Sequence, residues 1–124
     1  MSLLGVGLDL IELPRFRLLY DIDDVEVLAR VFTSAEIAEA RASINAVERL
    51  AGRFVAKEAT VKVLGGLQQG TALTDIEVQS KSGPPLLILR GEAAKRAEVM
   101  LIKCWHLSIT HSENSAAAVV IATA

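Results

Sequence analysis

Asp9 and Glu58 sit where a folded chain is not expected to leave charge. Asp9 closes the apolar run Leu3-Leu4-Gly5-Val6-Gly7-Leu8 and is followed by Leu10 and Ile11; Glu58 interrupts the apolar side of a helical stretch. An isolated buried carboxylate is costly enough that such groups are paired, protonated or bound to a cation. If the two met in space they would suit magnesium, which takes one or two carboxylates, keeps several waters and completes its shell from substrate phosphates. Each also has a plainer reading. Glu58 and Lys62 are four residues apart and could form a surface pair on an amphipathic helix. An aspartate at a strand end could cap the next helix or order a turn. From spacing alone both readings stand.

Two histidines lie in Cys104-Trp105-His106-Leu107-Ser108-Ile109-Thr110-His111. Strand alternation puts Trp105, Leu107, Ile109 and His111 on one face and Cys104, His106, Ser108 and Thr110 on the other. His111 therefore ends a row expected to be buried, where an imidazole can face a site, while His106 shares its face with hydroxyls. Zinc is a poor fit, because Cys104 and His111 differ in parity and the chain offers only three soft ligands. A hydrogen-bonded structural role is the plainer reading of either histidine.

These residues need elements to hold them. Residues 3–11 read as a buried strand, and Pro14 suits the first turn of a helix through Leu19. Asp21-Ile22-Asp23-Asp24 breaks that helix before a short helical piece over 25–31. Thr33-Ser34-Ala35-Glu36 has capping-box spacing and starts a helix to about Ser43; Asn45 to Glu48 repeats the spacing before a helix over 46–64. At 100° per residue Val47, Leu50, Ala51, Phe54 and Val61 form one stripe with Glu58 inside it, while Lys57 lies at the margin over Arg53. Gly65-Gly66 ends the helix. Strands over 74–80 and 86–90 flank a Ser82-Gly83-Pro84-Pro85 turn, a helix runs from Gly91 to about Leu101, and strands 104–111 and 116–123 close the chain around a 112–115 hairpin loop.

The 124 residues suffice for one domain, 1–124, and for one core. With 52% hydrophobic but 4% aromatic residues, that core is aliphatic, and so apolar a small chain has reason to bury surface between copies. A net charge of −2 argues against a general nucleic-acid binder. No apolar run reaches the length of a membrane span, no signal-like segment is present, and one cysteine fits a reducing cytosol.

Taken in order, Gly5-Val6-Gly7-Leu8-Asp9-Leu10-Ile11-Glu12, Arg53-Phe54-Val55-Ala56-Lys57-Glu58-Ala59-Thr60-Val61-Lys62 and His106-Leu107-Ser108-Ile109-Thr110-His111 closely resemble the holo-[acyl-carrier-protein] synthase family over essentially the whole chain. The resemblance implies an α+β fold, with an antiparallel sheet on a long central helix, and a homotrimer with each active site at a subunit boundary. It implies Mg-dependent transfer of 4'-phosphopantetheine from coenzyme A to a serine of an acyl carrier protein, in fatty acid and lipid biosynthesis in the cytoplasm. Asp9 and Glu58 match its magnesium ligands. Lys62, Gly65, His111 and Arg53 fall at the coenzyme A site, with Lys62 and His111 at phosphate-contacting positions. Arg15 and Arg17 match the carrier-binding helix, and the resemblance sets Arg15 against a neighbour's metal site. The base for the serine is Glu58 or a water that Asp9 orients. Two departures stand out. Gly83-Pro84-Pro85 replaces the common Gly-Lys-Pro, removing a basic group near the nucleotide end, and Asp21, Asp23, Asp24 and Glu26 follow the carrier helix where basic surface is expected. The remaining alternatives are a non-catalytic carrier- or metal-binding relative and a small nucleotide phosphohydrolase using the same metal.

Overall fold

The computed structural model describes residues 2–80 and 83–124. Strand β1 (Leu3–Glu12) runs into helix α1 (Leu13–Leu19), followed by the single-turn α2 (Val25–Leu28), α3 (Ser34–Arg41) and the long α4 (Ala46–Val63). A 3-10 turn (Leu73–Asp75) leads into β2 (Ile76–Gln79) and β3 (Leu86–Leu89), and α5 (Gly91–Val99), β4 (Cys104–His111) and β5 (Ser115–Thr123) complete the chain. The antiparallel strands divide into two ladders, a three-stranded sheet in the order β1-β5-β4 and the β2-β3 pair. The fold is α+β, as the resemblance implies. Residue 82 of the expected turn cluster lies outside the described residues.

Local chemistry sets the boundaries. Thr33 and Glu36 form the predicted capping box: Glu36 N donates to Thr33 Oγ1 at 3.2 Å, and Thr33 N donates to Glu36 Oε1 at 2.8 Å. Asn45 stands at the N-cap of α4 but its side chain makes no capping bond, so the second predicted box does not form. Helix α4 stops where Gly65 and Gly66 adopt φ of +85° and +108°, conformations that cost glycine little, and Gly66 N donates to Val61 O at 2.9 Å.

Helix α4 lies at the centre of the molecule. One stripe was expected to be buried, yet Leu50, Ala51, Gly52, Val55, Ala56, Ala59, Thr60, Val61 and Val63 are buried around nearly its whole circumference. The three-stranded sheet, α1, α3 and β2 all pack on it. The wheel therefore misplaced two charges. Glu58 and Phe54 follow a half-buried line, whereas Lys57, expected at the margin, is completely buried. Aromatic side chains cluster despite their scarcity. All three phenylalanines and the single tyrosine (Phe16, Tyr20, Phe32 and Phe54) contact one another at centroid separations of 5.2 to 6.4 Å, clamping α1 against α4.

The outer face of the three-stranded sheet is the reverse of a solvated surface. Leu8, Leu10 and Val6 are 63%, 61% and 55% exposed, and Leu4 continues the row. Leu8 pairs with Val119 and Val6 with Ile121 on β5, so the apolar face extends across two strands.

Candidate active site

Two glycines on β1 determine how closely strand and helix approach. A Cβ on Gly7 would fall 1.9 Å from the Ala59 carbonyl oxygen, and one on Gly5 would fall 2.9 Å from Val63 Cγ1. The strand backbone thus lies directly on α4. Asp9 follows Gly7 on the same inward face, and Glu58 precedes Ala59, so the contact brings the two carboxylates together. Lys62 Nζ lies 3.3 Å from Asp9 Oδ1 and donates to Leu8 O at 2.7 Å. The plainer readings therefore give way. Lys62 crosses to β1 to pair with Asp9, and the N-cap of α1 is Glu12, not Asp9. With Lys62 about half exposed, such a pair contributes at most about 1 kcal/mol, too little to be the reason for the cluster.

Burial raises the Glu58 carboxyl above its ordinary pKa, the Asp9 charge raises it further, and Lys62 pulls it partly back. This is the signature of two carboxylates facing one another with incomplete compensation. Burial and then Glu58 also raise the Tyr20 hydroxyl, which places an aromatic side chain unmarked by any motif in the same field. A cleft of about 350 Å³ opens here, with Asp9, Phe54, Glu58, Arg15 and Leu19 in its walls. Arg15 thus faces the cleft of its own chain, and Arg17 is exposed on the last turn of α1. Among the described residues no group of three or more His, Cys, Asp and Glu could hold a metal. A cation on Asp9 and Glu58 would draw its other ligands from water and substrate, as magnesium does.

Arg53 and His111 belong to a second cleft, of about 240 Å³, whose walls include Asn45, Arg49, Ser80 and Pro85. Arg53 is only 5% exposed. It forms an ion pair with Glu39 through Nη2 and donates to Arg49 O from Nη1 at 3.3 Å, while Nε has no partner among the described residues. His111 ends its row as expected but is exposed, because β4 is an edge strand and its last residue passes the end of the core. On the opposite face His106 Nε2 lies 3.3 Å from Thr123 Oγ1, a structural contact. A shallow groove with Thr110 and Ser112 in its walls shares Leu10 with the first cleft and His111 with the second. Lys62 therefore sits with the carboxylates, whereas Arg53 and His111 share a separate cleft with Arg49 and Glu48. Gly65 lies at the end of α4, where Arg96 Nε donates to Leu64 O at 3.3 Å. Arg49 was overlooked although it precedes Arg53 by one helical turn; Arg96 carries no local signal.

A paired-carboxylate cleft lies next to one that carries Arg49, Arg53 and His111, both built on a helix buried between two ladders. The family model described as the 4'-phosphopantetheinyl transferase superfamily matches residues 5–120, and the chain belongs to that family. Among its relatives is the holo-[acyl-carrier-protein] synthase of Koribacter versatilis (strain Ellin345), 39% identical over 121 residues that cover 96% of this chain and 97% of the relative. The holo-[acyl-carrier-protein] synthase of Neisseria meningitidis superposes with a TM-score of 0.86 at 28% identity, covering 99% of this chain and all of the other. That of Bacillus anthracis str. Ames, in complex with CoA (3',5'-ADP), gives 0.78 at 33% identity, covering 98% and 97%.

Proposed function

We propose that this chain is a holo-[acyl-carrier-protein] synthase. It transfers 4'-phosphopantetheine from coenzyme A to a serine hydroxyl of an apo acyl carrier protein and releases adenosine 3',5'-bisphosphate. The observation that carries this reading is the convergence of Asp9 and Glu58 in one cleft, with Lys62 paired to Asp9 beside it. Serine oxygen bonds to the β-phosphorus of coenzyme A as the pyrophosphate oxygen departs. Negative charge grows on the phosphate oxygens during that step, and groups that meet it only then raise the rate.

Asp9 and Glu58 fit magnesium by donor type and by their mutual repulsion, and would hold it. Bound there, the ion would supply Lewis-acid stabilisation of the pyrophosphate. Lys62, on a flexible exposed stem, brings an ammonium to the same oxygens. The serine proton passes to Glu58 or to a water that Asp9 orients. Arg53 and His111 supply a basic cleft for the nucleotide end of coenzyme A, and Arg49 adds a further cation that spacing did not single out. Gly65 frees the turn beyond Lys62 for a phosphate-bearing chain. Arg15 and Arg17, with Leu18 at 88% exposure near the C-terminal end of α1, present a basic and apolar surface to the carrier.

The exposed apolar face of β1 and β5 supports burial between copies, and the family resemblance specifies a homotrimer with the site at the subunit boundary. The reaction places the protein in fatty acid and lipid biosynthesis in the cytoplasm, where the single thiol, Cys104, would stay reduced. Among the described residues no helix is long and apolar enough to cross a membrane. Mass spectrometry of a carrier incubated with this protein, coenzyme A and magnesium tests the proposal. A phosphopantetheine mass gain is expected, abolished by chelation. Consumption of coenzyme A without carrier would instead identify a phosphohydrolase, and neither change would identify a binding protein.

A further inference from the structure

Lys57 lies beside Glu58 in sequence but takes no part in the cleft. Its side chain is 0% exposed. Three acceptors surround the ammonium: Glu36 Oε1 at 2.8 Å, Leu73 O at 3.1 Å and Ile76 O. The Phe32 ring centroid lies 5.7 Å away. An ammonium has three N–H donors, so this arrangement satisfies it completely. The carboxylate among them is itself fixed. Glu36 closes the α3 capping box and accepts Val78 N at 2.8 Å through its other oxygen. Neighbouring Glu77 accepts Thr33 Oγ1 at 2.6 Å and Arg90 Nη2 at 3.1 Å. A single side chain thus ties the middle of α4 to α3 and to the entry of β2.

Stability does not explain this arrangement. Buried ion pairs are commonly matched or bettered by apolar residues of similar volume. Directed polar contacts select one orientation of a helix that is buried nearly all round more sharply than apolar packing alone. Helix α4 presents small or aliphatic side chains to most neighbours, and similar surfaces permit small rotations. At an outer radius of roughly 6 Å, a rotation of about 10° moves a side-chain tip by about 1 Å. Gly7 against Ala59 and Gly5 against Val63 set the separation of β1 and α4, but both contacts fall on one line along the helix and do little to fix its rotation.

We infer that Lys57 is a positioning residue: its three directed contacts fix the rotation of α4 and so hold Glu58 at its working separation from Asp9. This rests on the proposal that Asp9 and Glu58 jointly hold the ion. Magnesium tolerates little departure from octahedral geometry, so a shift of about 1 Å in one ligand should be felt in binding and in rate.

The test compares wild type with Lys57→Met, Glu36→Gln and the double variant, because Lys57→Met alone leaves a buried carboxylate unpaired. Urea unfolding, magnesium affinity by calorimetry with coenzyme A bound, kcat and KM for coenzyme A, and a crystal structure are read for each. The double variant should recover most of the stability that Lys57→Met loses. Its kcat and magnesium affinity should stay down by roughly tenfold or more, its KM for coenzyme A should change by less than about threefold, and the Glu58 carboxylate should move by about 1 Å relative to Asp9. A stably folded double variant with wild-type magnesium affinity, kcat and carboxylate separation would overturn the inference. Should the double variant not fold, Lys57→Gln, which retains one amide donor, is judged by the same readouts. If wild type itself bound no magnesium, the two-carboxylate site would be wrong instead, and the crystallographic separation alone would decide the role of Lys57.

Discussion

The carboxylates of the site work against each other, and that antagonism can be measured. Asp9→Asn and Glu58→Gln each remove a charge at nearly constant shape. Both should lower kcat by about 10²-fold or more and erase its magnesium dependence, with folding intact. Full turnover of Glu58→Gln with an unchanged magnesium requirement would refute the pairing. Stability without metal should move the other way. Folding raises the Glu58 pKa above its ordinary 4.5, so the stability associated with its protonated form is complete below 4.5 and is lost as pH rises through the folded value. The glutamine variant escapes that loss. In thermal melts without metal it should be more stable than wild type near about pH 7 and level with it near about pH 4. The histidines offer a second contrast. His111→Ala should weaken use of coenzyme A far more than His106→Ala, since only His111 lies in the basic cleft. Equal effects in steady-state kinetics of folded variants would end that assignment.

At the level of elements, the site depends on how β1 lies on α4. Gly7→Ala would drive a methyl into the Ala59 carbonyl, which cannot yield without moving the helix, whereas Gly5→Ala meets the tip of a valine. The first substitution should cost about 1–3 kcal/mol in urea unfolding and most of the activity by separating Asp9 from Glu58; the second should do markedly less of both. Equal behaviour would show that the contact does not set the site. The sequence announced much of this level. Alternation marked β4, Thr33 and Glu36 marked the start of α3, and Gly65-Gly66 marked the end of α4, because each signal is local and has one cause. Asp9, Glu58 and Lys62 were legible as chemistry out of place. Lys57 was not. A helical wheel assumes one buried side, and only the packing of both ladders and α3 shows that α4 has hardly a solvated side. Arg49 was missed, and the division into two basic groupings was hidden, because each depends on which elements meet across the core. The distinction between two ladders and one sheet is likewise a matter of long-range pairing.

For the whole molecule, the decisive surface is the outer face of β1 and β5. More than half of each of Leu8, Leu10 and Val6 is open to solvent, with Val119 and Ile121 beside them. A face of this kind marks an interaction site or an aggregation hazard. Wild type should sediment at three chain masses. Leu8→Glu should shift it to one, with loss of activity, although Leu8 bears no catalytic group. A fully active monomer in analytical ultracentrifugation at assay concentration would refute the trimer and the shared site together.

One strand therefore serves two masters. Leu8 and Leu10 point outward, and Asp9 between them points to Glu58. Side chains along a strand alternate with a period of two, so moving the register by one residue exchanges the faces. Deleting one residue between Asp9 and the start of α1 would turn a leucine toward the carboxylate of α4 and an aspartate toward the outer apolar face. A substitution on this strand alters one face, while an odd insertion or deletion next to Asp9 exchanges the carboxylate face and the apolar face in the same event. Lineages carrying this site should thus vary the composition of β1 more freely than its count.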